Sequence, residues 1–199
     1  MGIWFWVLIG VAAVAILIGL FVWSTQNSLT KLRVRVDEAW SDVLVQLKRR
    51  SDLTPNLVQS VQSYATHERE VLERIVEARS AVMSAADSGP QAMALADEEF
   101  GSALNSVLAV AEQYPKLKAN ENFLQLQHSL VTTEDKIQAA RRFYTGTVRN
   151  LNIKVNTFPA SLVARALGFT VRPFFEVDDP AALEKAATVE FSGHSSRPE

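Results

Sequence analysis

The chain has 199 residues, with 20 Lys and Arg against 22 Asp and Glu, for a formal net charge of -2. That length suits one domain, and so even a balance excludes a protein built to wrap nucleic acid, which would be strongly basic. Cysteine is absent, so a disulfide framework, a thiolate metal site and a cysteine nucleophile are excluded; three histidines, His67, His128 and His194, argue against a multi-histidine metal centre.

Residues 3–23 read IWFWVLIGVAAVAILIGLFVW, without a charge or a strongly polar side chain. Such a run crosses a hydrocarbon core as a helix rising about 1.5 Å per residue. Trp4 and Trp6 at one end and Trp23 at the other suit the two headgroup boundaries. A cleaved leader is the competing reading. It wants a basic start, a shorter apolar stretch and a small-residue cleavage site, and none is present. The run is therefore read as a retained, single-pass anchor whose partner is the lipid bilayer. Lys31, Arg33 and Arg35 follow it closely and are candidate contacts to lipid headgroups. By the positive-inside rule they place the C-terminal body in the cytoplasm.

The body is expected to be helical. Leu29, Leu32, Val36, Ala39 or Trp40, Val43 and Leu47 recur at steps of three and four over Ser28 to Arg50, with no Pro or Gly to break continuity with the anchor. Lys48, Arg49 and Arg50 then suit a helix C-terminus. Thr54 as cap and Pro55 at the first helical position predict a second helix reaching about Ala86, striped by Leu57, Val61, Tyr64, Val71, Ile75, Ala78 and Val82. Asp87 to Pro90 predict a turn, and a third helix runs to about Tyr114 on Met93, Ala96, Phe100, Ala103, Val107 and Ala111. A fourth runs from about Asn120 to Val155. Short connections predict antiparallel neighbours, and four apolar faces close around one core. The expected fold is all-α: a transmembrane helix followed by a long antiparallel four-helix bundle. The expected division is an anchor over 1–27, the bundle over 28–158, short helices and an apolar segment over 159–192, and a disordered tail over 193–199. In the third segment, Pro159 to Leu167 form a short helix closed by Gly168, Phe169 to Phe175 an apolar patch, 181–187 another short helix, and Val189 and Phe191 a strand or tail contact.

No nucleophile elbow, phosphate loop or zinc-protease motif occurs. Charged residues interrupt the stripes at Glu68, Glu134 and Arg141, and charges on a seam need partners; these three form one candidate set. Facing carboxylates could instead hold metal, but the required Glu-x-x-His repeats are missing. Asp87 to Gln113 carry five acids and no base, whereas Pro115 to Val155 carry seven bases and three acids. The third and fourth helices are thus of opposite sign, which suits pairing within one bundle or between molecules.

Two stretches, VDEAWSDVLVQLKRRSDLTPNLVQSVQSYATHEREVLERIVEARS over 36–80 and EQYPKLKANENFLQLQHSLVTTEDKIQAARRFYTGTVRNLNIKVNTFPASLVARALGF over 112–169, resemble the LemA family. Thr54 and Thr145 depart from the family's usual residues. The resemblance implies a bacterial membrane protein with one N-terminal anchor, a helical body, and no recognised catalytic residue, cofactor, metal or small-molecule substrate. It adds His67, Arg79 and Tyr144 to Glu68, Glu134 and Arg141 as a polar cluster serving structure or partner contact. The expected role is a non-enzymatic, membrane-anchored interaction or scaffold protein of the cell's inner membrane, with a protein partner or self-association and no nucleic acid. A carboxylate-based or metal-dependent enzyme, and a membrane-remodelling or envelope-stress factor, are the alternatives.

Overall fold

The computed structural model describes residues 2–176, and these contain six α-helices and no strand. The helices are α1 (Ile3–Gln62), α2 (Arg69–Ala85), α3 (Pro90–Glu112), α4 (Pro115–Lys118), α5 (Glu121–Asn156) and α6 (Ala160–Ala166). The expectations for 181–187, for Val189 and Phe191, and for the tail lie outside the described residues.

The anchor and the first helix of the body are one element. α1 spans 60 residues, about 90 Å at 1.5 Å per residue. Its first turns stand apart from the rest of the protein: residues 2–21 are all exposed, and Thr25 is the first buried side chain. This stretch alone among the described helices is long and apolar enough to cross a membrane. Beyond it the same helix buries Leu29, Val36, Ala39, Val43, Leu47, Leu57 and Val61, the spacing of an apolar stripe.

The predicted break at Thr54–Pro55 does not occur. α1 passes through Pro55 and ends only at Gln62. A proline inside a helix has no N–H for the carbonyl four residues back, here Ser51. Arg79 of α2 supplies the missing donor: its Nε donates to the Ser51 carbonyl at 2.9 Å. Pro55 itself faces solvent, while Thr54 and Leu57 on either side are buried. The chain turns instead at residues 63–68, which leaves Tyr64 exposed rather than on a stripe.

α2 and α3 form an antiparallel hairpin closed at Gly89, whose φ of 92° suits a residue without Cβ, and Pro90 opens α3. After the single turn of α4, Asn120 caps α5, its Oδ1 accepting from the N–H groups of Asn122 at 3.0 Å and Phe123 at 3.2 Å. α5 runs antiparallel to α1, burying Phe123, Leu130, Ile137, Tyr144, Val148, Leu151 and Val155. α6 folds back against α1 and α5, and residues 169–176 return along the seam between them.

The helices do not make a regular four-helix bundle. α1 packs on α5 and α2, and α2 packs on α3, but α3 and α5 hardly touch. The fourth seam is open, and charged side chains span it.

Candidate functional site

The open seam is a groove of about 500 Å³ between α3 and α5. Its walls include Ala94, Gly101, Leu104 and Leu108 from α3, and Leu130 and Val131 from α5. Its floor is ionic. Arg50 of α1 is 4% exposed and reaches both walls: it donates through Nη1 to Glu134 of α5 at 2.8 Å and through Nη2 to Asp97 of α3. Its guanidinium also lies 4.7 Å from the centre of the Phe100 ring. Arg141 of α5 adds a second cation 3.5 Å from Asp97, and Gln138 donates to Glu134 at 2.7 Å. Arg50 Nε is buried without a partner, so the network is not fully satisfied.

Burial pushes the Asp97 carboxyl above its ordinary value; the charges of Arg50 and Arg141 pull it back, and Glu134 pushes it up further. Desolvation outweighs the attraction of the two arginines. The sequence pattern makes Arg50 a cation at a helix end, and its observed place is a correction. The helix continues past it, and the stripe Val43, Leu47, Arg50, Thr54, Leu57 carries it inward. Asp97 does not emerge from the sequence as a site residue. The available signal is spacing: Asp97 lies four residues after Met93 and three before Phe100, both buried.

The sequence-derived set of Glu68, Glu134 and Arg141 does not meet as one cluster. Glu134 and Arg141 join the groove floor. Glu68 sits at the turn before α2, where it accepts a long 3.5 Å hydrogen bond from the Tyr114 hydroxyl. The reason is the shifted helix boundary: Glu68 precedes α2 instead of riding on a seam. His67 is exposed beside it, and Arg79 serves the Ser51 carbonyl. Among the described residues no group of three or more His, Asp or Glu side chains could hold a metal ion.

Tyr144 belongs to a second, aromatic layer nearer the anchor. Its ring lies 5.4 Å from Trp40, and Trp40 lies 5.9 Å from Phe175. Its hydroxyl donates to the Pro173 carbonyl at 2.9 Å, and burial raises its pKa. Asn152 fixes the same returning segment, accepting from the Arg172 N–H at 2.8 Å and donating to its carbonyl at 2.9 Å. Phe175 then meets the Arg141 guanidinium, 4.5 Å from its ring centre, so the aromatic layer and the groove floor touch. Lys31, Arg33 and Arg35 lie on α1 just beyond the apolar run, and all three are exposed.

Comparison with known proteins gives a match to the family described as the LemA family over residues 39–191. Magnetosome protein MamQ 2 of Paramagnetospirillum magneticum is 27% identical over 160 residues, covering 68% of this chain and 59% of that protein. Magnetosome protein MamQ of Magnetospirillum gryphiswaldense is 24% identical over 159 residues, with 68% and 58% covered. Protein LemA of Metamycoplasma hominis is 28% identical over 144 residues, with 71% and 64% covered. The chain thus spans about three fifths of the length of the magnetosome relatives it matches.

Proposed function

Since the chain belongs to the LemA family, and carries an apolar membrane-crossing segment on the same helix that builds its body, we propose that it is a membrane-anchored interaction module whose α3–α5 groove receives an amphipathic helix of a partner protein. The observation that carries this reading is the open seam. From Ala94 to Leu108 and from Gln127 to Arg141 the walls run 15 residues each, a rise of about 21 Å, the length of four helical turns. Apolar side chains line it, and the helix-in-groove mode needs such a trough. Charge selects the occupant further. Asp97 and Glu134 are held by Arg50 and Arg141, which leaves Glu98 as the acid of the lining outside that network, and α3 has no basic residue, so the fitting helix carries a basic flank on the side that meets α3.

The body lies on the cytoplasmic side of a bacterial cell membrane, an orientation supported by Lys31, Arg33 and Arg35. The carboxylate enzyme draws no support from the geometry, because Glu134 is held by Arg50 and Glu68 lies elsewhere.

Site-specific photo-crosslinking in native membranes tests the reading. A crosslinker at Val131, 57% exposed at the groove wall, should yield a discrete adduct; one at Val45, 56% exposed and outside the groove, should not. Gly101→Phe should abolish the Val131 adduct, because a side chain at Gly101 meets open space and fills the trough. Equal adducts from both positions, or no effect of Gly101→Phe, would overturn the proposal. An adduct with a second copy of this chain would replace the foreign helix by self-association.

A further inference from the structure

The end of the body nearest the anchor carries an apolar surface that none of the described residues covers. α5 runs toward the anchor and ends at Asn156, Phe158–Pro159 makes the turn, and α6 packs back on α1 and α5. Val163 and Ala164 face inward. On the outer side Leu162 is 60% exposed; Phe158 in the preceding turn is 75% exposed and Leu167 at the end of the helix 43%.

The position of this surface along α1 is set by what α1 buries. Val22 is half-buried and Thr25 and Leu29 are buried, whereas residues 2–21 are bare. The body therefore begins where the apolar run ends, at Trp23. Between Trp23 and Leu29 α1 rises about 9 Å, comparable to the headgroup layer on one side of a bilayer. Because α1 is unbroken there, the body cannot be carried away from the bilayer by a flexible linker.

Charge points the same way. Residues 24–36 hold Lys31, Arg33 and Arg35 and no acid; residues 145–171 hold Arg149, Lys154 and Arg165 and no acid. An apolar face flanked by uncompensated cations is the composition of an element lying in a membrane interface.

We propose that α6 and the Phe158 turn form a second membrane contact, seated in the interfacial layer of the bilayer that α1 crosses, with the surrounding Lys and Arg side chains on anionic phospholipid headgroups. The anchor and α6 together then fix the tilt of the body and hold the groove at a set height above the membrane.

The chain has no cysteine, so one introduced cysteine gives one labelled site. Full-length protein carrying Leu162→Cys, Val131→Cys or Ile18→Cys is labelled with an environment-sensitive fluorophore. Each is reconstituted in nanodiscs of phosphatidylcholine with phosphatidylglycerol, with and without spin-labelled lipid. The label at 162 should be quenched by spin-labelled lipid to nearly the extent of the label at 18, while the label at 131 stays unquenched. Replacing phosphatidylglycerol by phosphatidylcholine should reduce the quenching at 162 and leave that at 18 unchanged. Adding Phe158→Ser, a change at an exposed side chain, should lower it further at an unaltered circular dichroism spectrum. Quenching at 162 no greater than at 131 overturns the proposal. So does a blue-shifted but unquenched label at 162, which would mean that a second copy of the chain covers the face.

Discussion

The two layers that join α1 to α5 use opposite physics. Near the anchor, Trp40, Tyr144 and Phe175 pack ring against ring, and the returning segment seals the seam. About 15 Å further along α1, by helical rise, Arg50 meets Glu134 and Asp97, and there the bundle stays open. Aromatic burial gains from every contact and draws helices together. A buried ion pair gains only at its own geometry, and charges without partners resist closer packing. The aromatic layer is thus a weld, and the ionic layer is a strut that holds α3 at a fixed distance from α5.

The sharpest break of that contrast is Arg50→Ala. It leaves the buried Asp97 without its principal cation and should cost about 3–5 kcal/mol, read as a fall in the thermal midpoint of the full-length protein in detergent. A loss under about 1 kcal/mol would mean that the ion pair does not hold the seam.

Arg79→Ala tests a donor that serves the backbone rather than a carboxylate. It should cost about 1.5–3 kcal/mol, the range for a charged hydrogen bond. In a Pro55→Ala background the penalty should shrink, because the alanine would return an N–H to the Ser51 carbonyl. A double-mutant cycle measures the difference; additive effects would refute the coupling.

Tyr144→Phe keeps the ring and removes one hydrogen bond to Pro173, so about 1 kcal/mol is expected. Hydrogen exchange should rise at residues 169–176 and remain unchanged in α3, which would separate the weld from the strut.

The smallest effect is a pH slope. Asp97 is raised above its ordinary 3.8, so the folded state holds this proton more tightly than the unfolded chain does. The associated stability is complete below the unfolded value and is lost as pH climbs through the higher folded value. The thermal midpoint should fall across that acidic window, and Asp97→Asn should flatten this component of the slope.

Much of this is readable from the chain alone. The apolar run of residues 3–23, the ends of α3 at Pro90 and of α5 near Val155, and the buried stripe of α5 follow from local rules: apolar length, turn residues and a 3.6-residue period. Those rules fail at Pro55. A proline preceded by a capping threonine signals a helix start, whereas in the fold Arg79, distant in sequence, donates to the carbonyl that Pro55 leaves without an N–H. The same shift carries Arg50 from a supposed helix end into the interior and Glu68 out of the seam.

The character of each segment is written in its local residues: an apolar helix able to cross a bilayer, helices with one greasy face, an acidic α3 and a basic α5. These are properties of neighbouring residues, and periodicity and hydrophobicity express them. Which charges meet, and which seam stays open, depends on how the helices pack. A salt bridge between Arg50 and Asp97 depends on helix boundaries, crossing geometry and desolvation, and those are set only when distant parts of the chain come together.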